Sequence, residues 1–101
     1  MRSIKEKQSF LKNPLNDVLG SEVKVRILRF LIEKDDCFLA SEIARGIEVS
    51  STRTRKVIKE LEQTGFIEPI GGGSRKLWHV RKSEPLIKTL KKVFKEEQKN
   101  G

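Results

Sequence analysis

The stretch LASEIARGIEVSSTRTRKVIKELEQTGFI, residues 39–67, restricts the fold more than any other part of the chain. It holds two helical patterns with only a few residues between them. In the first, Ile43 and Ala44 face inward and Gly46 reads as the C-terminal stop. In the second, Ser50 is the N-cap, Val57, Ile58 and Leu61 form the buried stripe with Thr54 near its edge, and Gly65 follows as the stop. Helices joined this tightly must cross. Ala44 is small enough to let the second helix come close, Gly46 permits a tight exit, and Ile47 and Val49 plug the space between the two. The arrangement is a helix-turn-helix.

The flanks build a small core around it. Ser21 caps a helix in SEVKVRILRFLIEK, where Val23, Ile27, Leu28, Leu31 and Ile32 share one face. Before it, NPLNDVLG predicts a short helix over 14–19, and residues 1–12 read as a basic arm. DDCFL is a polar turn leading to a short extended piece. FIEPI and KLWHV are strand-like runs on either side of Gly71, Gly72 and Gly73, and Pro69 confines the first run to an edge or a strand end. Ser83 or Glu84 caps a last helix with Pro85 in its first turn, and the tail KEEQKNG is expected to fray. The fold class is mainly α with a small β-hairpin: a three-helix core, a hairpin wing and an extra C-terminal helix. The division is an arm over 1–12, a main domain over 13–82, and a C-terminal helix with tail over 83–101.

The surface chemistry of the second helix of the pair is basic and rich in hydroxyls. It exposes Ser51, Thr52, Arg53, Arg55, Lys56 and Lys59. Hydroxyls and backbone amides hold phosphates, and arginines bridge guanine edges, so this is the equipment of a helix that enters the major groove. An ordinary amphipathic helix with a solvated basic face is the plain alternative. Charge is sided along the chain. Residues 33–48 carry five carboxylates against two cations, while residues 71–82 carry four cations and no acid. With 22 Lys plus Arg against 14 Asp plus Glu and a net charge of +8, the chain suits a polyanionic partner.

In order and spacing, NPLNDVLGSEVKVRILRFL, SEIARGIEVSSTRTRKVIKELEQTGFIE and SRKLWHV resemble an archaeal or bacterial winged helix-turn-helix regulator of the broad ArsR and MarR type, over residues 13–90. The resemblance implies a winged-helix fold, with the helix over 51–64 as recognition helix and the hairpin as wing. Such proteins often have Thr or Ser three residues before Glu42, which makes a capping box. Here that position is Leu39, which opens Ser41 as an alternative cap.

Other chemistry is set aside on spacing. GGGSRK is followed by a strand rather than a helix, and it lacks the GxxxxGK pattern, so no nucleotide is expected. Cys37 and His79 are too few and too far apart to bind a metal, and no cofactor is expected. Trp78 is expected to pack on the core rather than to stack on single-stranded nucleic acid, with His79 alternating outward. No catalytic grouping occurs, so the chain reads as a non-enzyme. A lone cysteine, no apolar run of membrane-spanning length and no signal-peptide core lead to the expectation of a cytoplasmic protein without a membrane partner.

The functional expectation is a duplex-DNA-binding transcriptional regulator. The helix over 51–64 lies in the major groove, and wing residues 71–76, with Arg75 and Lys76, lie on the adjacent backbone or minor groove. Leu86, Ile87, Leu90, Val93 and Phe94 form one face of the last helix and are assigned to a homodimer contact, against the alternative of packing on the chain's own first helix. Two competing readings are a protein-interaction winged helix, such as a subunit of a larger assembly or an antitoxin-like partner, and a non-specific architectural DNA-binding protein.

Overall fold

Ser21 has extended backbone, and its Oγ accepts from the N–H groups of Val23 and Lys24 at 3.2 and 3.4 Å. A first helical turn leaves those amides without partners, so the serine sets where α1, Glu22–Lys34, begins. The structure is a computed structural model that describes residues 21–73 and 75–100, with side chains as far as residue 97. The basic arm, the short helix expected over 14–19 and Ser74 lie outside the described residues. Val23, Ile27, Leu28, Leu31 and Ile32 of α1 are all buried, as their spacing requires. The helix ends on Asp35, in the left-handed region at φ 51°, whose N–H donates to the Leu31 carbonyl at 3.0 Å. Lys82 reaches Asp35 at 3.0 Å. Its hydrogen bond, and then its charge, hold that carboxyl below the usual carboxylate range.

After the turn, Phe38 makes a single antiparallel bridge to Trp78, with the Trp78 N–H donating at 2.7 Å and the Phe38 N–H at 3.0 Å. Then come α2, Ala40–Ile47, and α3, Ser51–Gln63. The hairpin strands β1, Ile67–Ile70, and β2, Leu77–Val80, pair antiparallel with Ile67 opposite Val80 and Pro69 opposite Trp78. Because the Phe38 bridge covers the far side of β2, β1 is the outer strand, where a proline without an N–H costs no ladder bond. Ile67, Trp78 and Val80 turn inward. Glu68 and His79 meet on the other face, Oε1 to Nε2 at 3.0 Å. Gly71 (φ 83°) and Gly73 (φ 68°) supply the left-handed residues that reverse the chain, whereas Gly72 is not left-handed. The last helix, α4, Pro85–Asn100, begins where a Glu84 Oε2 accepts from the Ile87 N–H at 3.1 Å.

Four expectations are corrected. The start of α2 is not capped by Ser41. The helix begins at Ala40, and the Glu42 carboxylate accepts from the Leu39 N–H at 2.8 Å. Leucine has no side-chain acceptor to return the bond, so this is half of a capping box. Gly46 is not the stop of α2. The stop is Glu48, left-handed at φ 59°, and Gly46 lies inside the helix against the Phe30 ring. A Cβ there would stand 2.8 Å from the Phe30 Cζ, so any larger residue would have to displace the Phe30 ring where α1 and α2 cross. The tail does not fray at Lys95, because α4 continues to Asn100.

The fourth correction concerns the face assigned to a dimer. Ile87, Leu90 and Phe94 are buried in this chain's own core with Ile27, Leu28 and Leu31 of α1. Leu86 and Val93 are half-buried at its margin. Burial of a side chain of this size stabilises by about 1.5–3 kcal/mol, so α4 is drawn onto α1 by its apolar face first. The Arg29 guanidinium then lies 4.5 Å from the Phe94 ring centroid and 2.8 Å from Glu97. These exposed contacts orient the helix more than they hold it.

Candidate nucleic-acid interface

The first turn of α3 is set by Ser50, whose Oγ accepts from the Arg53 N–H at 3.3 Å. From that start, Thr54, Val57, Ile58 and Leu61 turn inward, while Ser51, Thr52, Arg53, Arg55, Lys56 and Lys59 are exposed. The hairpin folds back beside the helix. Between them lies a cleft of about 1090 Å³, lined by Thr52, Arg55, Lys56 and Lys59 from α3 and by Arg75 and Lys76 from the wing. Six of the eight residues assigned to nucleic acid therefore converge on one surface. Ser51 and Arg53 are exposed on the same first turn of α3 but do not line the cleft.

Pairing separates these cations from those of the first part of α1 and of the β2–α4 connection. Lys24, Arg26, Arg29, Arg81 and Lys82 are each engaged with carboxylates. Among the described residues, none of Arg53, Arg55, Lys56, Lys59, Arg75 and Lys76 forms an ion pair. This narrows the basic patch read from residues 71–82. Arg81 is 3.5 Å from Glu68 and Lys82 is 3.0 Å from Asp35, which leaves Arg75 and Lys76 as its unpaired part. The acidic stretch is likewise engaged locally, with Asp36 accepting from the Cys37 N–H at 2.7 Å and Glu42 from Leu39. Guanidinium and ammonium groups carry donors only, so an open cleft of this kind matches a ligand made of anionic acceptors.

Two polar residues of the cleft were not assigned to it by the sequence reading. Ser41, at the start of α2, lines it because the helix crossing brings that end forward. No local pattern signals this. Glu62 also lines it, and its position three residues after Lys59 and seven after Arg55 could have shown that it shares their face. Trp78 is buried to 8% exposure, with the Lys76 Nζ 6.0 Å from its ring centroid, so it packs as expected and offers no face for stacking bases. Among the described residues there is no group of three or more His, Cys, Asp or Glu placed to hold a metal, and no helix long and apolar enough to cross a membrane.

Behind the basic surface, the Thr54 Oγ1 is fully buried without a hydrogen-bond partner. An unsatisfied buried hydroxyl costs about 1–3 kcal/mol, so Thr54→Val, which keeps the branched shape, is expected to raise unfolding stability by that order in urea denaturation. A loss of stability would show that the hydroxyl has a partner in solution.

No protein-family model matches the chain, and no curated protein matches it. Solved structures do. The chain is similar to a MarR family transcriptional regulator from Silicibacter pomeroyi, at 13% identity and a TM-score of 0.68 over 98% of this chain and 70% of that one. It is similar to the transcriptional repressor BigR from Xylella fastidiosa, at 17% identity and a TM-score of 0.66 over 96% of each chain. It is also similar to a MepR variant from S. aureus bound to an oligodeoxyribonucleotide, at 14% identity and a TM-score of 0.70 over 98% of this chain and 75% of that one. The crossing of α2 and α3, the hairpin beside them and the helix that returns to the core are thus those of a known architecture: the chain has the winged helix-turn-helix fold of MarR-type transcriptional regulators.

Proposed function

We propose that this protein is a cytoplasmic, non-enzymatic transcriptional regulator that binds duplex DNA, with α3 in the major groove and the wing on the neighbouring backbone or minor groove. The observation that carries this reading is the convergence of cations from α3 and the wing on one cleft. Arg55, Lys56 and Lys59 of α3 and Arg75 and Lys76 of the wing line one cleft, with Arg53 exposed on the same helix, and none of them is in an ion pair among the described residues, whereas Lys24, Arg26, Arg29, Arg81 and Lys82 are matched to carboxylates. A solvated basic face with no partner gives no reason for the helix and the wing to keep their cations unpaired around one cleft. A protein of the same fold bound to an oligodeoxyribonucleotide supports the reading.

The roles divide by position. Arg53, Arg55 and Lys56 stand where a recognition helix meets base edges or nearby phosphates, Ser51, Thr52 and Lys59 position it on the backbone, and Arg75 and Lys76 reach the adjacent groove. Arg53→Ala or Arg55→Ala is expected to cost about 1–3 kcal/mol and to relax the sequence preference, as for a base contact. Lys76→Ala is expected to weaken all sequences about equally. Enrichment from a random duplex pool, followed by titration of the variants, checks both. An exchange of the two outcomes would reverse the assignment of helix and wing, and the absence of an enriched motif would favour an architectural protein.

The reading includes a division into a DNA-binding domain over 13–82 and a C-terminal helix over 83–101, and a homodimer that sets two half-sites about 34 Å apart. Leu86 and Val93 are what α4 offers a second copy, since its other apolar residues are already used within the chain. Sedimentation that finds only an 11.6 kDa species at micromolar concentration would overturn the dimer.

A further inference from the structure

Glu62 is the one carboxylate among the residues lining the basic cleft, facing Arg55, Lys56 and Lys59 of its own helix and Arg75 and Lys76 of the wing. It is half-buried, and among the described residues it is in no ion pair with any of them. A carboxylate has only acceptors. Phosphates, and most of the base-edge atoms in the major groove, are acceptors too, so a Glu on this surface meets repulsion nearly everywhere on DNA. The exceptions are the exocyclic amino groups, N4 of cytosine and N6 of adenine. Lys59 lies three residues and Arg55 seven residues before Glu62, which keeps all three on the side of α3 that faces the cleft.

We propose that Glu62 is a specificity-determining residue. It accepts a hydrogen bond from an exposed amino group of cytosine or adenine in the major groove, and it disfavours base pairs that turn an acceptor rather than their amino group towards it. The inference rests on the DNA-binding reading. It adds a repulsive element to a surface otherwise attractive to any duplex, and discrimination between similar partners requires such an element.

The test uses the full chain and two variants, Glu62→Gln and Glu62→Ala, on a random duplex pool and on the duplex that the unsubstituted protein enriches from it. Glu62→Gln keeps the size of the side chain and removes its charge, and no side-chain hydrogen bond of the described structure is lost. The unsubstituted protein is expected to discriminate at one C or A position by about 5- to 100-fold, as for a good base contact. Both variants are expected to lose that preference alone and to bind random duplex more tightly, by roughly three- to tenfold, with one anionic charge fewer at the phosphates. An unchanged motif overturns the proposal, whether affinity stays the same or rises on all sequences alike, because general repulsion would then be the whole effect. If the unsubstituted protein binds no duplex at low salt, the DNA-binding reading falls and the proposal falls with it.

Discussion

Raising the salt concentration from about 50 to about 200 mM will weaken binding to duplex DNA by roughly 10³- to 10⁵-fold, as expected for 6–10 phosphate contacts. The six cations of α3 and the wing, Arg53, Arg55, Lys56, Lys59, Arg75 and Lys76, supply contacts of that number, and a second copy would raise it. Each phosphate contact releases about 0.9 of a counterion from B-DNA, so the slope of log affinity against log salt counts the contacts. The structure also says which cations should not count. Removing the charge of Lys82, already 3.0 Å from Asp35, is expected to leave the slope unchanged, whereas Lys76→Ala is expected to lower it by about one. Fluorescence anisotropy of a labelled duplex at a series of salt concentrations measures all three proteins. A flat response from the unsubstituted protein would remove the basis for DNA binding and favour a protein-interaction winged helix.

Phe94→Ala is expected to lower the unfolding free energy by about 3–5 kcal/mol, the usual cost of emptying a large buried aromatic site. A domain of this size has only about 5–15 kcal/mol in all, so the variant will lie near the margin of folding. The ring is 1% exposed and packs in the same core as Ile27, Leu28 and Leu31, and Arg29 lies over it. The position of α4 in the molecule decides the form of the result. If α4 belongs to the monomer core, the loss in urea unfolding is the same at low and high protein concentration. If Phe94 served mainly a contact between copies, the loss would appear as a change in the concentration dependence, with monomer stability intact. The burial of Ile87, Leu90 and Phe94 requires the first outcome.

Much of the fold was legible because its signals are local. Ser21 and Ser50 are caps whose acceptors sit within three residues of the amides they satisfy. The stripe Val23, Ile27, Leu28, Leu31, Ile32 needs only the 3.6-residue period to be read. Gly71 and Gly73 mark the reversal of the hairpin because few other residues adopt a positive φ at so little cost. The exposed face of α3 follows from the same period, which is why all six of its proposed contact residues are at the surface.

What misled the reading depends on approach between distant parts. Gly46 looked like a helix end because glycine often is one, but it lies inside α2 against the Phe30 ring, sixteen residues earlier in the chain and across a helix crossing. The apolar face of α4 reads equally well as a dimer contact or as core, since periodicity reports that a face is buried and not by what. Arg81 and Lys82 counted as free charges until the fold brought Glu68 and Asp35 beside them.

The sequence by itself therefore determined which stretches are helical, the serine caps of α1 and α3, the hairpin and the basic character of α3, all of which follow from residues within a few positions of one another. Tertiary structure alone decided which cations are unpaired, that helix and wing share one cleft, and that Glu62 sits among them. Charge pairing acts through space over a few ångströms, and chain separation carries no information about that distance until the core has packed.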